Sequence, residues 1–424
     1  MQDTESEDFL YASLLFQEIN SENLSDEDIE LIEEKIDENG PQAAKVVLDV
    51  SDILEQLATA YIDNEKISKF NICRSNICDG IFRAMTRKSF CPKKKLSVKF
   101  TDDVGCSEGA VDMGGPMREF FTLSYEAILS SRLFCGQEHS RLLSYDAKAL
   151  KHDEYFMAGQ LIAMALVHAG LGPRCFSPVL FNSLIRSHAK VNVPIDAVCD
   201  LELQSTLNNL MSVGSVDEAN RLIADTKLEE IQELSGTLRV LRSISDVRDM
   251  AYEIAHWYVL DRTRASYESF KSGMTCLGLL DAVVANSDVF QRVFCFCPQV
   301  LSSDSFERLF HVNRSELLSN RWEVENRLLA FWRDLLLDVE EKECELSFSD
   351  ILFFASGLKV VPCRSILMQL EFLHEPEESG HLSKFPKANT CSCILRLPTA
   401  HAKYTDFKSD FQFAVRNAKG FGIP

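Results

Sequence analysis

The residues with the clearest chemical potential lie near the C-terminus, in the stretch FPKANTCSCILRLP at residues 385–398. Cys391 follows a polar loop and precedes an apolar run that is typical of a β-strand. A small fraction of an ordinary thiol is already thiolate at neutral pH, so a cysteine needs no strong base to act as a nucleophile. Cys391 is therefore a candidate nucleophile, and its spacing alone leaves open the alternative of a half-buried structural thiol.

Two nearby side chains bear on the chemistry of Cys391. His401 lies ten residues downstream and is a candidate proton acceptor, as in a Cys/His hydrolase. Cys393 lies two residues away, and residues i and i+2 of a strand face the same way, so it is a candidate competing thiol. The hydrolase hypothesis rests on proximity in the sequence alone.

The other cysteines and glycines do not form a metal or phosphate motif. The chain has no C-x-x-C, and its closely spaced cysteine pairs lack the spacing of structural zinc sites. Gly114 and Gly115 precede a helix but belong to neither G-K-[ST] nor G-x-G-x-x-G, which favours tight backbone packing. We therefore expect no cofactor and no metal.

The charge of the chain is unevenly distributed. Its 424 residues include 64 acidic and 44 basic side chains, a net charge of −20. The first 66 residues hold 19 acidic and 3 basic residues (net −16), which leaves 45 acidic and 41 basic residues (net −4) in residues 67–424. An acidic chain is a poor nucleic-acid binder, and no apolar run reaches the ~20 residues that span a bilayer. Without a secretory signal core, we expect reduced thiols, no membrane partner, and a cytoplasmic or nuclear location.

The elements that must position Cys391 are mostly helical. Residues 96–100 alternate like a half-buried strand, and from residue 348 onward short apolar runs between Pro, Gly and Asn indicate a smaller α+β unit. Helical periodicity recurs at residues 25–40, 41–60, 117–129, 155–168 and 195–340.

Motifs along the chain resemble the HECT domain of HECT-type ubiquitin ligases. Phe331-Trp332, FFASGLKVVP and the terminal GFGIP resemble three C-lobe segments of that family, and YFMAGQLIAMAL resembles its glycine-containing helix. The active-site strip is matched by Pro386, Asn389, Thr390, Cys391, Leu395, Leu397 and Pro398. The N-lobe signature is matched by Asp112, Gly114, Gly115, Arg118, Glu119 and Phe120.

This resemblance implies a bilobal α+β fold over residues 67–424. It implies an N-lobe at residues 67–312 that is mostly helical and docks a conjugating enzyme, and a smaller α/β C-lobe at residues 313–424 that carries the cysteine. The lobes are joined by a hinge in this family. Residues 1–66 would form an acidic helical extension, for which the family offers no role. Part of it, SEDFLYASLLFQE, loosely resembles a ubiquitin-interacting motif.

The resemblance also implies the activity of a HECT-type ubiquitin-protein ligase. Cys391 would take ubiquitin from a conjugating enzyme as a glycyl thioester and pass it to a substrate lysine. Thr390 and Asn389 would either position the reacting groups by hydrogen-bonding the developing oxyanion or shape the loop. Phe421, fourth from the carboxyl end, would act in the second transfer or anchor the C-terminus. The implied partners are a ubiquitin-conjugating enzyme, ubiquitin and an unknown protein substrate.

The chain departs from the family pattern at several positions. Asn389 replaces a usual His, and Ser392-Cys393 replaces a usual Phe-Asn. The docking subdomain is expected near residues 200–260, where the sequence predicts helices without recognisable docking strands. An alternative function is therefore a catalytically weak or inactive HECT-like scaffold that binds ubiquitin or a partner protein.

Overall fold

A computed structural model describes residues 49–101, 114–226, 228–298, 301–364, 366–377 and 380–418. The helix predicted at residues 25–40 and the candidate Phe421 lie outside the described residues. The described elements are mostly helices, accompanied by small sheets, which confirms the predicted α+β class.

Helices dominate the described chain up to Glu307, and none of the described helices is long and apolar enough to cross a bilayer. In chain order they are α1 (Val50–Tyr61), α2 (Ile77–Met85), α3 (Gly115–Leu129), α4 (Ala147–Lys151), α5 (Glu154–Ala169), α6 (Pro178–Ile185), α7 (Leu201–Ser212), α8 (Val216–Thr226), α9 (Leu228–Ser235), α10 (Ile244–His256), α11 (Arg264–Met274), α12 (Leu279–Ala285), α13 (Ser287–Phe294) and α14 (Ser303–Glu307). Three more follow, α15 (Asn320–Glu340), α16 (Phe348–Ser356) and α17 (Tyr404–Asn417).

The strands form two small pairs and one larger sheet. Strands β1 (Asp63–Cys73) and β2 (Lys94–Thr101) are parallel, whereas β3 (Phe134–Gln137) and β4 (Ser140–Leu143) form an antiparallel hairpin. The third sheet, which we call the C-terminal sheet, has the order β5-β6-β8-β7, with β7 antiparallel to β8 and the others parallel. Its strands are β5 (Phe310–Val312), β6 (Met368–Leu373), β7 (Lys387–Asn389) and β8 (Ile394–Pro398).

The predicted domain limits meet these elements in two places. The limit between residues 66 and 67 falls inside β1. The limit between residues 312 and 313 falls at the end of β5, although β5 pairs with β6 of the C-terminal sheet. Residues from Asp49 onward group into one unit. The domain limits therefore stay predictions.

Residues 201–256 form helices α7 to α10, and none of their described residues lies in a strand. The helical periodicity predicted over residues 195–340 is wrong in the middle of residues 230–244, where no helix forms. Gly236 has a φ of +73°, which ends α9, and Ser243 starts α10 with a capping box to Asp246. The loop between these helices leaves Leu238 and Val240 exposed.

Two glycines bring α5 and α11 into direct backbone contact. A Cβ atom on Gly159 would lie 2.1 Å from the carbonyl oxygen of Phe270, and one on Gly273 would lie 2.0 Å from that of Phe156. Nearly every side chain of α5 is buried, so the helix cannot withdraw from α11 without opening the core. The close packing of the two helices therefore depends on having glycine, which has no side chain, at positions 159 and 273.

We predict that Gly273→Ala destabilises the protein by about 1–3 kcal/mol, because overpacking exceeds the ~1 kcal/mol that alanine gains in a helix. Denaturant unfolding measures the effect. The matched control is Gly214→Ala, where the nearest neighbour of the new Cβ would be Glu218 Oε2 at 3.9 Å. Equal stability of the two variants would contradict the prediction.

Candidate active site

Cys391 lies in the tight turn that joins β7 to β8. The last pair of these antiparallel strands is Asn389 with Ile394, so residues 390–393 form the turn. Thr390 is buried and Cys391 is half-buried. The predicted loop-to-strand position of Cys391 is therefore confirmed, and part of its side chain reaches solvent.

Asn389 shapes this turn through its side chain. The backbone N–H of Ser392 donates a hydrogen bond to Asn389 Oδ1 at 3.3 Å. The backbone N–H of Cys393 donates to the carbonyl oxygen of Thr390 at 3.4 Å. Such side-chain bonds to nearby backbone are typical of turns. Of the two roles left open for Asn389, this geometry supports the shaping of the loop.

Cys393 is not a competing thiol, and that prediction is wrong. Its backbone has a φ of +53°, which interrupts the alternation expected of a strand. Its side chain is only 3% exposed, and burial raises the pKa of its thiol. A buried thiol of this kind is a poor nucleophile.

His401 does not serve Cys391 as a proton acceptor. The cysteine precedes β8 and the histidine follows it, and the five residues of that strand alone span roughly 13 Å. His401 is buried, and its Nε2 lies 2.9 Å from Asp410 Oδ2. The Cys/His hydrolase hypothesis therefore has no geometric support.

The N-terminus of α3 packs directly against the Cys391 turn. A Cβ atom on Gly115 would lie 2.8 Å from Thr390 Oγ1, 2.9 Å from the Cys391 backbone nitrogen and 3.1 Å from Cys391 Sγ. Gly114 has a φ of +120°, a conformation that side chains rarely adopt. The predicted tight packing of these glycines is confirmed, and the surface they pack against is the Cys391 turn.

Arg118 of α3 holds the same turn by its backbone. Its guanidinium Nη2–H donates to the carbonyl oxygens of Thr390 and Cys391, the latter at 3.2 Å. Its Nε–H donates to the carbonyl oxygen of Ser356 at 3.1 Å. Charged donors make the stronger hydrogen bonds of proteins. Arg118 belongs to the N-lobe signature noted in the sequence, but the sequence alone did not indicate that it bonds the Cys391 turn.

The contact continues along one face of α3. Thr122 and Glu126 follow Arg118 at intervals of four residues, which places them on the same side of the helix. Thr122 Oγ1 lies 3.2 Å from the carbonyl oxygen of Gly357, and Lys359 Nζ lies 2.5 Å from Glu126 Oε1. This spacing was the sequence signal that could have identified the contact face.

An ion pair between a buried carboxylate and a partly exposed arginine fixes α3 at its other side. Glu119 is 2% exposed, and Arg74 Nη2 lies 2.9 Å from its Oε2. The guanidinium of Arg74 also lies 4.0 Å from the ring centre of Phe100 on β2. Helix α3 is thereby anchored to the β1–β2 pair while its N-terminus contacts the cysteine turn.

No group of three or more His, Cys, Asp or Glu side chains within the described ranges is arranged to hold a metal ion. A cavity of about 880 Å³ lies near the C-terminal end of α3, where Tyr125, Phe296 and Phe348 contribute to its lining. Cys391 does not line it. The candidate site is thus the Cys391 thiol in a turn whose backbone is held by Arg118 and by the N-terminus of α3.

A sequence model of the HECT-domain (ubiquitin-transferase) family matches residues 121–424, which is most of the chain and includes the Cys391 turn. The chain belongs to the HECT-domain family. The Cys391 turn and most of the C-terminal sheet's surroundings lie within the matched residues, whereas the N-terminus of α3 precedes them.

Proteins similar to this chain are found among vertebrates. The chain is 29% identical over 371 residues to the G2/M phase-specific E3 ubiquitin-protein ligase of Gallus gallus, covering 87% of this chain and 47% of that protein. It is 27% identical over 381 residues to the Homo sapiens protein of the same name, covering 89% of this chain and 50% of that protein. The chain thus spans about half the length of these relatives.

We predict that Gly115→Ala displaces the Cys391 turn, because the new methyl group would overlap three of its atoms. The rate of Cys391 alkylation by iodoacetamide should then rise severalfold. Peptide mass spectrometry reads the modified residue, and Gly214→Ala is the control for alanine introduced in open space. If the variant is fully folded and its Cys391 alkylation rate is unchanged, α3 does not cover the thiol.

Proposed function

We propose that this chain is a HECT-type ubiquitin-protein ligase that accepts ubiquitin as a thioester on Cys391 and transfers it to a substrate lysine. The observation that carries the proposal is the half-buried Cys391 thiol, presented by a tight turn in a ubiquitin-transferase family domain. The conjugating enzyme, ubiquitin and the protein substrate are the proposed partners.

In the first step, the Cys391 thiolate attacks the thioester carbonyl carbon that joins ubiquitin to the conjugating enzyme. A new carbon–sulfur bond forms, the old one breaks, and the conjugating enzyme leaves as a thiolate. Because one thioester replaces another, the step is close to isoenergetic. The protein must therefore supply orientation more than driving force.

In the second step, an uncharged lysine amine attacks the carbonyl carbon of the Cys391 thioester. The isopeptide bond forms, the Cys391 thiolate leaves, and the proton lost by the amine passes to solvent water. Phe421 is proposed, from the family resemblance, to hold the loaded domain for this transfer. Correct placement of two reactants can account for ~7–11 kcal/mol of a barrier.

Rigid presentation of Cys391 supports this mechanism. Asn389 Oδ1 accepts from the Ser392 backbone N–H, and the Arg118 guanidinium donates to the Cys391 carbonyl oxygen. Both interactions restrain the backbone on either side of the sulfur without contacting the sulfur itself. Thr390 is buried in the same frame. Asn389, Thr390 and Arg118 are thus proposed as positioning residues.

An exposed apolar surface on residues 201–256 supports docking of the conjugating enzyme there. In and beside the loop that follows α9, Leu234 is 71% exposed, Leu238 62% and Val240 81%. Exposed aliphatic side chains grouped in this way are typical of interaction surfaces. The described residues of this segment contain no strand that could dock the conjugating enzyme. We propose that this loop docks it instead.

Cys391→Ala should abolish a reductant-sensitive ubiquitin adduct, because no other described thiol occupies the turn in an accessible position. The adduct is read on non-reducing gels after incubation with charged conjugating enzymes. Cys297→Ser, which removes an exposed cysteine, is the matched control and should retain the adduct. If wild type and Cys391→Ala give the same adduct pattern, the proposed nucleophile is wrong.

Leu238→Asp and Val240→Asp should each slow ubiquitin loading by about tenfold, as expected for the loss of a central interface contact worth ~1.4 kcal/mol. Thermal unfolding should hardly change because both side chains are exposed. The control is Leu367→Asp, a 70% exposed leucine before β6. Normal loading of both variants would place docking elsewhere. Binding of conjugating enzyme by wild type without any adduct would favour the inactive scaffold.

A further inference from the structure

Cys135 and Cys199 form a pair of free thiols whose sulfur atoms lie 3.2 Å apart. Cys135 lies on β3, and Cys199 lies two residues before α7. The two cysteines are 64 positions apart in the sequence. A disulfide bond is about 2.05 Å long, so closure requires an approach of roughly 1 Å. Both side chains are only partly buried, which leaves them accessible to a small oxidant.

The local backbone brings the two sulfurs together. Gly136 follows Cys135 with a φ of +90°, and a Cβ atom there would lie 2.5 Å from the Ser140 carbonyl oxygen and 3.6 Å from Cys199 Sγ. Arg141 Nη1 donates to the Gly136 carbonyl oxygen at 2.8 Å, which stabilises the hairpin. The glycine thus makes room for Cys199 beside β3.

The electrostatic surroundings distinguish the two thiols. The hydrogen bond shared with Cys135 lowers the pKa of the Cys199 thiol, and the nearby Arg262 and Arg141 act in the same direction, against the effect of burial. The same hydrogen bond raises the pKa of Cys135. By contrast, burial raises the pKa of Cys175 to about 12 and that of Cys295 to about 11. These directions make Cys199 the candidate for the first thiolate of the pair.

The pair lies where the chain enters and leaves residues 201–256. Cys199 immediately precedes Asp200, which caps α7 by accepting from the Glu202 and Leu203 backbone N–H groups. The chain returns through a π-helix at Trp257–Asp261, and Arg262 follows it. A bond between Cys135 and Cys199 would tie the start of this segment to the β3–β4 hairpin.

We propose that Cys135 and Cys199 are a redox-sensitive dithiol that closes to a reversible disulfide, with hydrogen peroxide as the oxidant. The Cys199 thiolate attacks one peroxide oxygen, the O–O bond breaks, and the departing hydroxide takes up a proton to become water. The sulfenic acid formed on Cys199 is then attacked by the Cys135 sulfur, whose proton leaves with the second water. The thiols lose two electrons and the peroxide gains them. A thiol reductant reverses the bond by exchange.

The test is peptide mapping of the full chain after peroxide treatment and alkylation. The wild type should yield a linked Cys135–Cys199 peptide, lose two titratable thiols, and recover both with dithiothreitol. Cys135→Ser should give no link, and Cys199 should instead be trapped as a sulfenic acid by dimedone. Cys297→Ser, which lacks an exposed cysteine, should keep the link.

The proposal is overturned if Cys297 becomes oxidised in the wild type while no Cys135–Cys199 link forms. It is also overturned if Cys199 links mainly to another cysteine. The wild-type map decides both points even where a serine variant fails to fold. Because the map uses no ubiquitin, its result is independent of the proposed ligase activity.

Discussion

The contact between the N-terminus of α3 and the Cys391 turn is the interaction on which the candidate site depends. Among the described residues, the Arg118 side chain donates to the backbone carbonyl oxygens of Ser356, Thr390 and Cys391. These bonds depend on the backbone path of the turn, which the Asn389 side chain also restrains. The Arg118 bonds do not involve the side chains of Asn389, Ser392 and Cys393, where the sequence departs from the pattern that it otherwise resembles.

Close approach and anchoring act together in this contact. The space beside Cys391 exists because Gly115 carries no side chain. The direction of α3 is set at its opposite side by the pair of Glu119 with Arg74. Removing Arg74 would take a charged partner from the buried Glu119 carboxylate, which is destabilising. The cysteine turn thus depends on a residue pair that lies outside it.

The sequence predicted those features that local patterns encode. The loop-to-strand position of Cys391, the glycine packing before α3 and the strand within β2 all follow from neighbouring residues. The partner of Arg118 could not be predicted in this way, because 272 residues separate it from Thr390. Cys393 and Gly236 show a second limit. Cys393 interrupts the alternation of a strand and Gly236 ends a helix, because both have a positive φ. The neighbouring residues give no sign of either interruption.

The proposed chemistry explains why the site is a frame and not a cluster of catalytic groups. In the first step a thiolate attacks and a thiolate leaves, so the exchange of thioesters needs no proton acceptor such as His401. What the reaction needs is a thiol that meets its partner in one orientation. Backbone carbonyl oxygens held by Arg118, a side-chain bond within the turn and a helix packed against the sulfur all restrict orientation. The residues that surround Cys391 are therefore suited to positioning, which is the demand that this transfer makes.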